Sequence, residues 1–286
     1  CCMSETKQTE KKDQEKAHVT LDKLVSLSKR RGFGFQSSEI YGGQAGTWDY
    51  GPLGAMLKNN IRQAWIKRFV QGREDVDLIE GTVLMARRTW EASGHVAGFN
   101  DLLVECKKCH ERFRADHLDP PILPERSGTK SRGGPSTGSG NILPKCPKCK
   151  ATDWTEPRDF NMMFETYVGP IKDEERKTYL RPETAQSMFT NFKNVVDSAR
   201  RKPPFGIAQV GKCFRNEIQT GNFIFRSREF EIAEVEYFVK PGEDEAAFEQ
   251  WVGEWEGFFV SLGIKKENLR REEIAKESLA HYSKRT

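Results

Sequence analysis

The chain has 286 residues, 36% of them hydrophobic, and a formal net charge of +4 from 46 basic and 42 acidic side chains. That size suffices for one large domain with a smaller appendage. The near balance of charge permits a polyanionic partner without requiring one. No apolar run reaches the ~20 residues of a membrane helix and no signal-peptide pattern is found, so we expect a soluble, cytoplasmic protein without membrane contact.

The N-terminal part begins with residues 1–18, which are polar and charged and are predicted to be a disordered tail. A short helix is then predicted from Leu21 to about Gly32. A Gly-rich stretch at 42–54 leads into a long helix from Pro52 to Phe69, because proline suits the first helical turn. The stretch lacks the Lys-Ser/Thr ending of a phosphate loop, which argues against that function.

Two further helices are predicted in the C-terminal half. One opens at Pro182 and continues to Ala199, and the other begins near Phe248 and ends at Gly263. Their methionine and aromatic stripes are interpreted as core. Strands lie between these helices without a regular βαβ alternation, so the predicted fold class is α+β with an antiparallel sheet.

A hairpin with an unusual set of charged side chains lies between these two helices. Its strands are predicted at 209–217 and 226–238, with a turn at Thr220-Gly221-Asn222. Side chains two apart on a strand share a face, which groups Arg215 with Glu217 and Arg226 with Phe230. Such a set can hold a nucleotide by its phosphate and its base. The alternative is the charged solvent face of an ordinary half-exposed sheet.

Two CxxC pairs form the second notable pattern. The cysteines are Cys106, Cys109, Cys146 and Cys149. Each two-residue spacer lets both sulfurs reach one tetrahedral ion, which predicts a structural Zn²⁺ site without an open position. A redox or disulfide role and unliganded cysteines are the alternatives. The site would lie in an insertion at 106–155, whose Ser/Gly-rich segment 124–142 is predicted to be a flexible loop.

Several longer motifs resemble bacterial-type homodimeric glycyl-tRNA synthetases of class II. They are RGFGFQSSEIYGG at 31–43, WDYGPLG at 48–54, ASGHVAGF at 92–99 and RPETAQ at 181–186, and the hairpin is similar to class II motif 2. The resemblance implies a class II synthetase-like antiparallel sheet flanked by helices, with an inserted zinc-ribbon-like module. The catalytic core would comprise residues 19–105, with motif 1, and 156–286, with motif 2.

The activity that the resemblance implies is that of a glycine–tRNA ligase using ATP with Mg²⁺. The glycine carboxylate attacks the α-phosphate, pyrophosphate leaves, and the glycyl group passes from the adenylate to tRNA(Gly). The implied catalytic residues are Arg215 and Glu217. The implied ATP site comprises Arg215, Asn216, Glu217, Phe225, Arg226, Ser227, Arg228, Glu229 and Phe230. The implied glycine site comprises Arg114, Glu183, Phe230, Glu231, Ile232, Ala233 and Glu234.

Within these sets the resemblance assigns individual roles. Arg215 would bind the α-phosphate, Arg226 the outer phosphates, and Glu217 and the ring of Phe230 the adenine. Glu183 and Glu234 would lie near the glycine ammonium, and Arg114 near the substrate. From the residues alone, Glu183 is better explained as a first-turn acid favoured by the helix dipole, and Arg114 is as readily a surface arginine beside the cysteines.

The helix after Pro52 and a strand at 77–85 correspond to motif 1, which implies a homodimer through that helix, although Gly81-Thr82 stands where most class II members have proline. Family members continue past 282–284 into motif 3 and an anticodon-binding domain. We therefore expect an N-terminal portion of the enzyme, with weak ATP binding and little activity alone.

Two other functions are considered. One is a non-catalytic interaction protein on the same fold, against which the retained site residues argue. The other is a zinc-ribbon RNA-binding protein, suggested by the lysines around the cysteines.

Overall fold

A computed structural model describes residues 19–122, 143–221, 223–276, 279 and 283–286. The predicted tail at 1–18 and the predicted loop at 124–142 lie outside these residues. Within the described ranges, no helix is both long enough and apolar enough to cross a membrane.

The chain divides into two compact units. Unit 1 comprises Cys1–Lys58, Gly81–Thr190 and Val210–Ile232, and unit 2 comprises Asn59–Glu80, Asn191–Gln209 and Ala233–Thr286. The domain bounds expected from the sequence, at 19–105, 106–155 and 156–286, stay a prediction.

The regular elements are numbered here in chain order. The helices are α1 (Leu21–Arg30), α2 (Pro52–Ile66), α3 (Arg87–Ala92), α4 (His95–Gly98), α5 (Ala185–Thr190), α6 (Phe192–Ala199) and α7 (Asp244–Ser261). The strands are β1 (Gly34–Gln36), β2 (Trp48–Tyr50), β3 (Val76–Leu78), β4 (Leu84–Met85), β5 (Asn100–Glu105), β6 (Arg112–Arg114), β7 (Arg158–Asn161), β8 (Glu165–Tyr167), β9 (Lys177–Leu180), β10 (Phe205–Phe214) and β11 (Glu229–Phe238).

Helix ends with local signals agree with the sequence. The Thr20 hydroxyl accepts a hydrogen bond from Lys23 N and caps α1, and Gly32, with φ of 73°, follows its end. Helix α2 begins at Pro52 as expected. Helix α7 ends at Ser261, and Gly263 follows it with φ of 93°.

The helix predicted from Pro182 to Ala199 is two helices, because α5 ends at Thr190 and α6 begins at Phe192. The Ser187 hydroxyl donates to Thr184 O at 2.7 Å. Hydroxyls that bond to the backbone of the preceding turn compete with helical hydrogen bonds. The apolar stripe continues through the interruption, so its periodicity did not reveal the break.

Unit 1 is built on small antiparallel sheets. Strand β1 pairs with β2, with Gln36 opposite Trp48. A second sheet has the order β4-β9-β8 and a third the order β6-β5-β7. Apolar side chains of the third sheet pack with the cysteines, and the ring of Phe113 meets that of Trp154 edge-on at 5.6 Å.

The sheet with strand order β11-β10-β3 departs from the predicted antiparallel arrangement in one respect, because β3 and β10 are parallel, with Val76 opposite Gly206. The strand expected at 77–85 is also wrong as a single element. Residues 79–83 separate β3 from β4, which lie in different sheets. Within unit 1, Gly81 O accepts a hydrogen bond from Arg181 Nη1 at 2.8 Å, and this side-chain contact replaces strand pairing there.

Unit 2 contains an aromatic core. The end of α2 continues as a π-helical turn, Lys67–Gln71, in which Gly72 N donates to Lys67 O at 2.8 Å. Phe69 in this turn is 0% exposed. Its ring lies 5.4 Å from Trp65, 5.8 Å from Trp251, 4.7 Å from Trp255 and 5.2 Å from Phe258. Trp251, Trp255 and Phe258 of the α7 stripe therefore pack in this core, as predicted, whereas Phe259 and Leu262 at its end are 37% and 39% exposed.

Candidate nucleotide, glycine and metal sites

The connection between β10 and β11 carries most of the predicted nucleotide-binding residues. Strand β10 ends at Phe214 and β11 begins at Glu229, so the described residues of the connection 215–228, which are 215–221 and 223–228, form an irregular segment with a 3-10 turn at Phe223–Phe225. The strands expected to reach Glu217 and to begin at Arg226 are therefore shorter than predicted.

Hydrogen bonds inside this connection explain the difference. Arg215 N donates to Arg228 O at 2.9 Å and Gly221 N to Arg226 O at 3.0 Å, so the two arms still meet. Glu217 N, however, donates to Arg215 O at 2.8 Å, which folds the chain into a tight turn. The strand-face grouping of Arg215 with Glu217 is wrong for this reason. Arg226 precedes β11, so its grouping with Phe230 by strand alternation is wrong as well, whereas Phe230, Ile232 and Glu234 all lie on β11.

Arg215 is held by one side-chain hydrogen bond and two aromatic rings. Its Nε donates to Pro182 O at 3.1 Å. Its guanidinium carbon lies 5.4 Å from the ring centroid of Phe99 and 5.5 Å from that of Phe230. The Nε bond is its one side-chain hydrogen bond to the residues described, so the geometry leaves the terminal nitrogens for an anion.

Glu183 lies just before α5 in the same unit. Its Oε1 accepts from Gln186 Nε2 at 2.7 Å and lies 3.4 Å from His95 Nε2. The hydrogen bond from His95, helped by Gln186 and by the charge of Arg215, lowers the pKa of Glu183 against the opposing effect of burial. The carboxylate is thus held ionised, the state that binds an ammonium group.

His95 was not singled out from the sequence. Its Nδ1 lies 2.9 Å from Ser93 Oγ, and its ring contacts Trp90 edge-on at 5.3 Å and Phe99 at 5.2 Å. Gly94 precedes it with φ of 80° and is the N-cap residue of α4. The ASGH motif could have indicated His95, because it is the one titratable side chain among small residues there. Its contact with Glu183 could not be predicted from the sequence.

Glu217 is 7% exposed, and its Oε2 lies 3.6 Å from Arg226 Nε. Arg114 Nη1 lies 3.1 Å from Asp101 Oδ2, and its Nη2 lies 2.8 Å from Asp116. The hydrogen bond to Asp116, with the charges of Asp101 and Glu217, raises the pKa of Arg114 against burial. Arg114 therefore sits in the electrostatic environment of Glu217 rather than on an open surface.

The remaining predicted site residues have separate surroundings. Arg228 donates to the carbonyl oxygens of Ala45 and Glu217, the latter at 2.9 Å. The ring of Phe225 is 72% exposed. Other contacts are Asn216 N to Met162 O at 2.7 Å, Ser227 Oγ to Glu229 O at 2.9 Å, Glu229 with Lys212, and Glu231 with Lys58 at 2.8 Å. Ile232 is the last residue of unit 1 on β11, and Ala233 and Glu234 continue that strand in unit 2.

The four cysteines are brought together by two turns of the same form. In the first, Cys106 N donates to Glu111 O at 2.9 Å and His110 N to Cys106 O at 2.8 Å. In the second, Cys146 N donates to Ala151 O at 2.7 Å and Lys150 N to Cys146 O at 2.9 Å. His110 and Lys150, at equivalent positions, have φ of 57° and 64°.

The sulfur geometry suits one tetrahedral ion. The Sγ atoms all lie within 4.8 Å of one another, with 3.5 Å between Cys106 and Cys149 and 3.7 Å between Cys109 and Cys146. Sulfurs bound at about 2.3 Å to a tetrahedral zinc ion are about 3.8 Å apart. A disulfide needs a sulfur separation of about 2.05 Å, so these cysteines are free thiols. His110 turns to Glu105 instead, at 3.1 Å.

Known proteins resemble this chain in sequence. Residues 164–286 match the family described as the tRNA synthetase class II core domain (G, H, P, S and T). The glycine–tRNA ligase of Thermobifida fusca is 54% identical over 267 residues, which are 93% of this chain and 56% of that protein. The glycine–tRNA ligase of Bifidobacterium longum is 52% identical, over 94% of this chain and 54% of that protein. The chain thus spans about half the length of these curated relatives.

Solved structures show the same fold at low sequence identity. The crystal structure of the RNA binding domain of threonyl-tRNA synthetase from Cryptosporidium parvum is 17% identical, with a TM-score of 0.52, covering 84% of this chain and 42% of that one. Prolyl-tRNA synthetase of Giardia lamblia, in complex with prolyl-adenylate, is 14% identical, also with a TM-score of 0.52, covering 84% and 35%. The resemblance found in the sequence is therefore confirmed: the chain has the α+β class II synthetase fold and is homologous to the glycine–tRNA ligases over 93% of its length.

Proposed function

We propose that this chain contains the glycine-activating site of a glycine–tRNA ligase, which joins glycine to ATP and transfers the glycyl group to tRNA(Gly). The observation that carries the proposal is the position of Arg215. Its guanidinium is fixed between two rings, close enough to Glu183 to contribute to the lowered pKa of that carboxyl. A cation for the phosphate and an anion for the ammonium thus lie in the same part of unit 1, since Arg215 Nε bonds to Pro182 O and Glu183 is the next residue in the chain.

Arg215 would act on the reacting phosphate. As the glycine carboxylate attacks the α-phosphate, negative charge grows on the phosphoryl oxygens, and the terminal nitrogens of Arg215 can bind them. The Nε bond to Pro182 O and the two rings hold the guanidinium in place before the reaction. Mg²⁺ bound with ATP supplies further neutralising charge. Phe230 can stack on adenine, and Arg226 can reach the outer phosphates.

Glu183 would hold the glycine ammonium as an ionised carboxylate. Selection for glycine must exclude larger amino acids, because glycine has no side chain to bind. The rings of Trp90 and Phe99 pack on His95, which contacts Glu183. Through His95, these two rings are one contact away from the carboxylate, and they are proposed to act in exclusion. Glu217, Arg114, Glu231 and Ile232 are proposed to complete the site within unit 1.

A direct test is titration calorimetry of this chain with the non-hydrolysable sulfamoyl analogues of glycyl-adenylate and alanyl-adenylate. We expect the glycyl analogue to bind at least about ten-fold more tightly, as one excluded methyl group is worth about 1–3 kcal/mol. Binding of both analogues with equal affinity would contradict glycine selection. No binding of either would contradict the adenylate site itself, and would favour the non-catalytic interaction protein.

The four cysteines are proposed to hold a structural Zn²⁺ ion. The sulfur separations, together with the twin turns, support it. Four thiolates leave no position for substrate, so the ion would fix the module rather than take part in the reaction. RNA binding as the main function is less well supported, since Lys107 pairs with Asp153 and Lys148 with Glu111.

A homodimer through α2 is also proposed, in the cytoplasm where tRNA is charged. Helix α2 leaves a stripe of large apolar side chains exposed: Leu53, Met56, Leu57 and Ile61. Exposed stripes of this kind mark protein interfaces. We expect Met56→Glu with Leu57→Glu to convert a dimer into a monomer in light scattering, while Arg88→Gln, at an exposed arginine of α3, keeps the dimer. A monomeric parent chain would contradict this proposal.

A further inference from the structure

Phe223 has a backbone conformation that bulky residues rarely adopt. Its φ is 54°, in the left-handed region, and its side chain is 9% exposed. A non-glycine residue held there costs about 1 kcal/mol or more, which the surroundings must offset. It lies at the turn of the connection 215–228, next to the exposed ring of Phe225. The connection therefore buries the ring of Phe223 at the cost of an unfavourable backbone conformation.

The ring of Phe223 enters a site formed by β1 and β2. It meets the Trp48 ring edge-on, with centroids 4.9 Å apart and planes at 73°. A Cβ atom added to Gly34 would lie 2.8 Å from the Phe223 ring, so no larger residue fits at that position. Trp48 is itself contacted by Lys29, whose Nζ lies 5.0 Å from the centroid of the Trp48 ring. The contact is thus closely fitted on both sides.

Arg228 makes a second attachment of the same connection. Its backbone N donates to Gly46 O at 2.7 Å, and its side chain donates to Ala45 O and, at 2.9 Å, to Glu217 O. Gly46 has φ of 73°, and a Cβ there would lie 2.0 Å from Thr220 Cγ2. Arg228 therefore joins both arms of the connection to the Gly-rich stretch.

We propose that β1, β2 and residues 45–46 form a latch that holds the connection 215–228 in its nucleotide-binding conformation. Phe223 and Arg228 are then positioning residues. Phe223 acts through the turn, and Arg228 acts through the backbone of Glu217. The guanidinium of Arg228 donates hydrogen bonds to two carbonyl oxygens, so it stabilises the protein rather than binding the phosphates. This extends the proposed function, on which its nucleotide-binding part rests.

The energetic reason is preorganisation. A connection that is already ordered loses little conformational entropy when a nucleotide binds, whereas a released connection must be ordered by the ligand. The Gly-rich stretch at 42–54 thereby gains a role that does not require contact with phosphate. Its glycines permit close backbone approach to the connection.

The test compares the parent chain with Arg228→Lys, Phe223→Ala and Trp48→Phe. Lysine keeps the charge of Arg228 but cannot reach two carbonyls as the planar fork does. Trp48→Phe keeps a ring for Phe223. Arg88→Lys is the matched control, since Arg88 is an exposed arginine of unit 1 whose ion pair with Glu91 is at 3.6 Å. Hydrogen exchange of residues 217–227 is measured without ligand, and affinity is measured with the glycyl-adenylate analogue.

Arg228→Lys and Phe223→Ala are each expected to speed exchange in 217–227 by about ten-fold and to weaken the analogue by a similar factor, as for one lost charge-assisted hydrogen bond or ring contact. Trp48→Phe should lie between these variants and the parent, and Arg88→Lys should match the parent. Unchanged exchange would overturn the latch. Faster exchange with unchanged affinity would overturn the positioning role. Faster exchange in a chain that never binds the analogue would leave the latch standing and refute the proposed function.

Discussion

The cysteine cluster and the connection 215–228 are both parts of unit 1, yet they are built in opposite ways. The cysteine cluster is made by two local turns, in which each pair of sulfurs is set by hydrogen bonds within a few residues. The connection is held from far away along the chain, since Arg228 contacts Ala45 and Arg215 contacts Pro182. A site built from local turns can be predicted from the spacing of its residues in the sequence. A site held by backbone groups that are distant along the chain cannot.

The same contrast applies to energy. A module whose four thiolates bind a metal ion is stabilised mainly by that ion, so its turns need little support from the rest of the unit. The connection has no such single source, and its geometry depends on many hydrogen bonds of about 1 kcal/mol each. We therefore expect the two regions to respond to different substitutions, and each prediction below can break or sharpen this contrast.

The largest effect is expected from Cys146→Ser. We expect the parent chain to bind one zinc ion and this variant to bind none stably, because one of the four ligands is removed. Structural zinc contributes about 10–16 kcal/mol of apparent binding free energy in zinc-finger peptides, so the loss should be large. Metal analysis and near-UV circular dichroism of the Trp154 environment measure the loss. Cys213→Ala is the matched control, since Cys213 is buried in β10 outside the cluster and its variant should keep zinc.

Analogue binding decides whether the two regions are independent. If Cys146→Ser retains most of the affinity for the glycyl-adenylate analogue, the contrast stands. If affinity is lost with the metal, the cysteine module also supports the nucleotide site, and the division between local and distant assembly is wrong.

The second effect is expected from Arg215→Ala. Removal of a guanidinium that binds an oxyanion should weaken the glycyl-adenylate analogue by about 100-fold, near 2.7 kcal/mol. Calorimetric titration measures the change, with Arg88→Ala as the exposed control. A loss no larger than that of Arg88→Ala would show that Arg215 only supports the fold through Pro182 and the two rings.

The smallest effect concerns the pH dependence of stability at Glu183. Its pKa is lowered in the folded protein, so its stabilising contribution is present above the unfolded pKa of about 4.3 and is lost as the pH falls through the lower folded value. The difference in unfolding free energy between the parent and Glu183→Gln should therefore shrink as the pH falls below about 4.3. Urea unfolding at several pH values measures it, and the exposed Glu175→Gln provides the control. A difference in unfolding free energy that does not change with pH would contradict the contact of an ionised Glu183 with His95.

Features with local causes were predictable from the sequence. The start of α2 at Pro52 and the ends of α1 and α7 near glycine follow from capping and backbone preference. The cysteine cluster follows from its spacing. Each of these needs only a few neighbouring residues, so one sequence contains all the information.

Features decided by distant partners were not predictable. Arg181 bonds to Gly81 O where the motif 1 strand was expected to continue. The turn at Glu217 ends the strand alternation that had seemed to group the site residues, and His95 gains its meaning only from Glu183. The residue types of the site were recognised through the family motifs, whereas their arrangement depends on tertiary contacts.

The π-helical turn at the end of α2 has a consequence for changes in chain length. Such a turn is an α-helix carrying one additional residue. Deleting one residue from Lys67–Gln71 would restore the α-helical hydrogen-bond pattern with little change in the faces of the residues on either side. Phe69 would then stay near the rings of α7 that surround it. A deletion in the α-helical part Pro52–Ile66 would instead rotate the two ends of the helix by about 100° relative to each other, so this turn is where the helix can change its length by one residue.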